Sequence, residues 1–184
     1  MNFKLAVEII WLTFIAYWLI NLVGNKRTVR RAWSGSLIYV LAFLVVAKFS
    51  PKLSHYFEHR EFPYSNLISY AGIMIMIAGL CIAIWARKAL GANWSGIPTL
   101  KENHELISTG PYHYVRHPIY SGILLLILGN LLALGHFSSG YIFFIAFGVF
   151  IVKSRVEERL LQEQFPVEYP EYKKVTKAII PYVW

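Results

Sequence analysis

Apolar runs long enough to cross a lipid bilayer are the strongest single constraint on this chain, and they recur. Leu5 to Val23 is interrupted only by Glu8, Thr13 and Asn21. As a helix this run spans roughly 28 Å at 1.5 Å per residue, the thickness of a bilayer core. A secretory signal has a shorter apolar core and a small-x-small cleavage site, and no such site precedes Lys26, Arg27, Arg30 and Arg31. The run therefore reads as a spanning helix. Leu67 to Leu90 is a second strong span, carrying Gly72 and Gly79, small residues that allow helices to approach closely. Leu37 to Phe49 is shorter, with Lys48 placed to snorkel at its end. Ile119 to Leu134 and Tyr141 to Val152 are separated only by residues 135–140. That gap holds a tight turn, so the last two helices should form an antiparallel hairpin.

Composition agrees with five spans. Hydrophobic residues make up 57% and charged residues 15% of the 184 positions, against about 45–50% and 25% in soluble domains. So few charges do not cover a water-exposed surface. Disorder, a disulfide scaffold and a soluble Rossmann-type enzyme are excluded together. The single cysteine, Cys81, lies inside an apolar run and is expected to be a small core residue. The length suits one unit, residues 1–184. Within it, 1–90 holds three spans and 91–184 holds most of the polar chemistry. An all-α, polytopic membrane protein is expected.

The net charge is +8, but the basic residues sit between apolar runs rather than on one face, which argues against nucleic acid. Membrane lipids with anionic headgroups and an anionic ligand are the expected partners. With five crossings, fourteen basic residues fall on one side, among them Lys26, Arg27, Arg87, Arg116, Lys153 and Lys177. The other side receives Lys4, Lys48, Lys52 and Arg60. The positive-inside rule then puts the N-terminus outside and the C-terminus in the cytosol. The membrane would be a bacterial or archaeal inner membrane, or the endoplasmic reticulum. Trp18, Trp33, Trp85 and Trp184 lie near span ends, where an interfacial aromatic belt accounts for them.

The polar side chains concentrate in Gly91 to Pro118 and in the tail from Lys153. The tail continues the fifth span as a helix until Pro166 interrupts it. Glu157 and Glu158 lie near its apolar end, where carboxylates are costly unless paired or bound to a ligand. Local ion pairs with Lys153 and Arg155 are the alternative. Arg116-His117-Pro118 precedes the fourth span. Proline suits a first helical turn, and the free N–H groups there, with Arg116, make an anion site at the cytosolic face. Two histidine pairs invite a metal reading. His113 and His117 straddle the approach to Pro118 rather than share a helix face. His55 and His59, with Glu58 and Glu61, fall in an outer loop. No metal is expected from either.

Taken together, two motifs are recognisable. The stretch from His104 to Tyr112 (His-Glu-Leu-Ile-Ser-Thr-Gly-Pro-Tyr), followed by Arg116-His117-Pro118-Ile119-Tyr120-Ser121-Gly122, resembles the isoprenylcysteine carboxyl methyltransferase family. So does the tail, with Glu157-Glu158, Phe165, Glu168-Tyr169-Pro170-Glu171-Tyr172-Lys173-Lys174 and Ile180-Pro181. Related phospholipid methyltransferases share much of this pattern, which covers roughly the C-terminal half. The resemblance implies S-adenosylmethionine as cofactor, in a cytosolic pocket between the last two helices. It assigns His104, Glu105, Leu106, Ile107 and Tyr112 to the cofactor, together with His117, Pro118, Ile119 and Tyr120 at the helix start. Arg116 would add its charge there, Glu157 would bind a polar group of the cofactor, and Glu158 would support it. The methyl acceptor implied is a lipid-like or prenylated carboxylate.

The eukaryotic members carry an arginine for that carboxylate four residues before the first glutamate. This chain has Lys153 there, with Arg155 the nearest arginine, and these two are the candidate catalytic residues. Lysine lacks the bidentate fork. Transfer of an activated methyl to an ionised carboxylate needs alignment and a dry pocket rather than a base or metal. Two other functions compete. An NADPH-dependent membrane reductase of a sterol-like or enone substrate would use Arg116, Lys173 and Lys174 for the 2′-phosphate. A membrane scaffold would leave the carboxylates unexplained. The ending Tyr-Val-Trp is not a prenylation box.

Overall fold

The computed structural model describes residues 2–21, 27–31, 65–95, 99–101, 105–135 and 138–181. The span expected at Leu37 to Phe49 lies outside them, as do His55, His59, His104, Trp33 and Trp184. Five helices are described: α1 (Phe3–Ile20), α2 (Asn66–Leu90), α3 (Pro118–Leu134), α4 (Ser138–Gln164) and α5 (Glu168–Val175). Two short strands, β1 (Thr28–Arg31) and β2 (Thr99–Lys101), pair antiparallel, with Arg30 opposite Leu100. This ribbon was not expected, because its strands are too short to show a period-two pattern.

Each helix starts and stops for a local reason. The Asn2 side chain accepts from the Leu5 N–H at 3.2 Å and caps α1, and Ser65 caps α2 through the Ile68 N–H at 3.3 Å. Arg87 and Lys88 in the last turn of α2 complement its dipole, and Gly91 ends it at φ 53°. Pro118 opens α3, and Gly135 closes it in the left-handed region at φ 68°, donating to the Leu131 carbonyl at 2.9 Å. As expected, the fifth apolar run and the tail form one continuous helix, α4, ending before Phe165 and Pro166.

Helices α1 and α2 run parallel. Phe3 meets Tyr70 edge-to-face at 5.1 Å near their starts, and the Asn21 carbonyl accepts from Arg87 Nη2 at 2.7 Å near their ends. Helices α2 and α3 run antiparallel with unusually close backbones. Gly79 faces Gly122, and Gly72 faces Gly129. A Cβ on Gly122 would stand 2.6 Å from the Gly79 carbonyl oxygen, and one on Gly79 would stand 2.6 Å from the Gly122 oxygen. The two glycines foreseen at positions 72 and 79 thus act in pairs seven residues apart. Gly122→Ala is expected to destabilise the fold by about 1–3 kcal/mol, because helix backbone rather than a flexible side chain must give way. Gly148, with nothing within 4 Å of its Cβ position, is the control, and Gly148→Ala should not destabilise. Thermal unfolding in detergent compares the two.

By length and composition, Phe3–Ile20 and Asn66–Asn93 can cross a membrane, and Pro118–Leu134 is a shorter apolar helix. The outer faces agree. Leu12, Leu19 and Ile20 on α1 and Leu67 and Met74 on α2 are at least 60% exposed. Apolar side chains that face outward along whole helices suit lipid rather than water. Cys81 corrects the expectation of a core residue: it is exposed on α2. A helix in lipid can be apolar on every side, so hydropathy does not mark the packed face. The interior divides into two clusters. Val7, Ile10, Ile73, Met76, Leu126 and Ala133 pack at one end of the bundle. Ala86, Tyr112, Ile119, Tyr120, Leu124, Ala178 and Ile179 pack at the other.

Candidate active site

The second cluster surrounds the start of α3, where three pieces of chain converge. The tail after α5 runs beside residues 115–117: Arg116 N–H donates to the Lys177 carbonyl at 2.8 Å and His117 N–H to the Ala178 carbonyl at 2.9 Å. Tyr172 is fixed by donating its hydroxyl to the Tyr112 carbonyl at 2.5 Å. The antiparallel hairpin of α3 and α4 brings Glu157 and Glu158 to the same place. Tyr120 donates its hydroxyl to the Glu157 carboxylate at 2.7 Å, and its ring stacks on His117 at 5.3 Å and on Phe150 at 4.6 Å.

The two glutamates do different work. Glu158 is 8% exposed and is held at 2.8 Å by Arg116 Nε, at 2.8 Å by Lys173 Nζ and at 3.3 Å by His117 Nε2. Burial alone would raise its pKa, but the hydrogen bonds from His117, Lys173 and Arg116 outweigh that and hold it down at about 2. Glu157 Oε2 lies 3.5 Å from His117 Nδ1. Its pKa is also lowered, burial being overcome by the His117 contact, the Lys153 charge and the Tyr120 hydrogen bond. Burial would make His117 less basic, yet the two carboxylates outweigh it and raise its pKa. The imidazole lies between the two carboxylates, 3.5 Å from Glu157 and 3.3 Å from Glu158. Local pairing of the glutamates with Lys153 and Arg155 does not describe Glu158, whose cations come from the loop and from α5.

Glu157 faces a cavity of about 360 Å³, within the range of small-molecule sites. Of the residues singled out from the sequence, Tyr112, Arg116, His117, Ile119, Tyr120, Lys153 and Glu157 share its wall. Pro118 is fully buried behind them as the first residue of α3. Glu105 is exposed, Leu106 is half-buried and Ile107 packs against the aromatic cluster, so the side chains of these three do not share that wall. Arg155 is exposed and off the cavity, because it points about 200° round the helix from Lys153. Arg116 reaches the wall, but its guanidinium is committed to Glu158 and to the Lys173 and Thr176 carbonyls. It braces the site rather than offering a vacant anion subsite.

Other wall residues were not foreseen. Trp18 and Trp94 meet edge-to-face at 6.4 Å, and both line the cavity with Asn93, Phe150 and Leu160. Trp18 is therefore a wall of the site and not merely part of an interfacial belt. A tryptophan four residues past the end of α2 was the one available signal for Asn93 and Trp94.

The fold defines an all-α integral membrane protein. The structure superposes on that of the eukaryotic intramembrane Ras methyltransferase ICMT with a TM-score of 0.55 and 18% identity, covering 79% of this chain and 52% of that one. The phospholipid methyltransferase family model matches residues 67–168, and the chain belongs to that family. Within it the resemblance to the isoprenylcysteine carboxyl methyltransferases holds. The chain is 33% identical over 130 residues to the protein-S-isoprenylcysteine O-methyltransferase of Saccharomyces cerevisiae, covering 67% of this chain and 54% of that protein. It is 28% identical over 160 residues to a probable protein-S-isoprenylcysteine O-methyltransferase of Oryza sativa subsp. indica, covering 84% and 83%. The chain thus spans about half the length of the yeast relative.

Proposed function

We propose that this chain binds S-adenosylmethionine in the cavity and methylates the carboxylate of a lipid-tailed, prenylcysteine-type acceptor. The observation that carries the reading is Glu157: an ionised carboxylate fixed by His117 and Tyr120 on the wall of an aromatic cavity beside a membrane helix. The residues present suit the cofactor. Glu157 offers an anion to its ammonium or hydroxyl groups, the Trp and Tyr rings suit its base, and buried Asn93 Oδ1 lacks a donor among the described residues.

When bound, S-adenosylmethionine supplies a sulfonium methyl already activated for transfer. The protein's task is then placement. Lys153 lies on the cavity wall one helical turn before Glu157, with its Nζ 5.1 Å from the Tyr120 ring centroid. It is the cation placed to steer an acceptor carboxylate. The carboxylate is ionised at neutral pH, so no residue has to remove a proton. Lys153→Ala is expected to lower turnover about tenfold or more with cofactor affinity nearly unchanged. Lys153→Arg should retain or improve it, and Arg155→Ala should leave it intact. Steady-state kinetics with a calorimetric Kd for each variant reads this out. A loss confined to Arg155→Ala would show that the acceptor contact lies elsewhere.

The reductase reading fits less well. Arg116 and Lys173 are both bound to Glu158, and Lys174 is bound to Glu171 at 2.6 Å, so each basic residue proposed for a 2′-phosphate already has a carboxylate partner. Titration of the purified protein with S-adenosylhomocysteine and with NADPH separates the two: heat with the first alone supports the methyltransferase, and heat with NADPH alone overturns it.

The topology proposed is five crossings, with the N-terminus outside and the site in the cytosol. Parallel α1 and α2 support it, since the chain between them starts and ends at opposite ends of the bundle. In a Cys81→Ala background, an impermeant maleimide should reach Lys4→Cys from outside, and Lys88→Cys and Lys177→Cys only from the cytosolic face. Labelling of Lys88→Cys and Lys177→Cys from opposite faces would overturn this arrangement.

A further inference from the structure

The short turn after α2 holds a buried polar atom that no described residue satisfies. Asn93 is 9% exposed and lines the cavity, and its Oδ1 has no hydrogen-bond partner among the described residues. A buried carbonyl oxygen without a donor is costly. One on a cavity wall is accounted for by a donor that arrives with the ligand. Its surroundings select among the donors a nucleoside cofactor carries. Trp94 follows Asn93 directly, and with Trp18 it gives this end flat apolar faces suited to a heteroaromatic ring. The Arg87 guanidinium lies 4.5 Å from the Trp94 ring centroid, which discourages a ligand ammonium here. The anion that would attract an ammonium, Glu157, belongs to the stretch of wall built by α4. A side-chain amide sets an acceptor and an NH₂ donor side by side. That pattern complements the exocyclic amine and adjacent ring nitrogen of adenine.

We propose that Asn93 reads the edge of the adenine base in the bound cofactor and so sets the base specificity of the site. This rests on the cofactor assignment made above, and the test keeps the two apart. Three probes are titrated calorimetrically into the full chain in detergent. They are S-adenosylhomocysteine, 5′-deoxy-5′-methylthioadenosine (which lacks the amino-acid part), and the S-adenosylhomocysteine analogue with unsubstituted purine in place of adenine. Asn93→Ala is expected to weaken the first two by about tenfold and the purine analogue clearly less. Should Asn93→Ala fail to fold, Asn93→Ser gives the same comparison with a polar side chain retained. Equal losses on all three probes would mean a structural role and overturn the proposal. So would a loss for S-adenosylhomocysteine without one for methylthioadenosine, which would place the contact on the amino-acid part. Unchanged affinity throughout would also overturn it. Wild-type protein that binds none of the probes would overturn the cofactor assignment itself, whatever the variants do.

Discussion

Glu158→Gln is expected to destabilise the folded protein by about 3–5 kcal/mol, because it leaves a buried guanidinium without its anion. Arg116 and Glu158 have side chains only 9% and 10% exposed and meet at 2.8 Å. The same carboxylate also ties in Lys173 and His117, so the loop before α3, the end of α4 and helix α5 should loosen together. The pH dependence has a definite sign. The folded pKa of Glu158, about 2, lies below its ordinary value of 4.5. Its contribution is therefore fully present above pH 4.5 and is lost as the pH falls toward 2. Thermal unfolding in detergent, for wild type and variant from pH 7 down to pH 3, should show the difference shrinking across that window. A variant as stable as wild type at pH 7 would mean that the network is not the clamp described here.

Glu157→Gln should behave in the opposite way, leaving most of the stability and removing the ligand. Its carboxylate faces the cavity and is held by Tyr120 and His117, both of which can also hydrogen-bond an amide. The expected loss in affinity for S-adenosylhomocysteine is about 1.5–3 kcal/mol, the worth of a charge-assisted hydrogen bond. That is roughly 10- to 150-fold in Kd. Calorimetric titration of Glu157→Gln and Glu158→Gln, each at a temperature where it is folded, compares them directly. A small effect at Glu157 with a large one at Glu158 would reverse the assignment.

Most of the site was legible because its chemistry lies at helix ends. His117-Pro118 announces a helix start, and Glu157-Glu158 marks the apolar boundary of the last long helix. A hairpin with a short turn must bring those two ends together. Lys153 and Arg155 were both candidates, and of the two only Lys153 shares the cavity wall with Glu157. What the sequence could not disclose depends on chain returning from a distance. Arg116 looks like a vacant anion site until the tail sets Thr176 and Lys173 against it. Ile107 packs into the aromatic cluster at the start of α3, a contact that nothing near it in the sequence announces. Trp18 lies 76 positions before Trp94 in the sequence, and no local pattern predicts that their rings meet. Cys81 shows the limit of hydropathy, since a helix facing lipid is apolar on its exposed side as well.

The central claim is that a methyl group moves from a sulfonium to a carboxylate in this cavity, and the position of transferred label tests it most directly. The purified protein is incubated with methyl-labelled S-adenosylmethionine and a farnesylated cysteine derivative, and the recovered acceptor is treated with alkali. The account predicts label in the acceptor that alkali releases as methanol, as a methyl ester requires, and loss of that label in Glu157→Gln. Label that stays on the acceptor through alkali would place the methyl on an amine or carbon. That result would contradict the account, as would the absence of any transfer from protein shown to bind the cofactor.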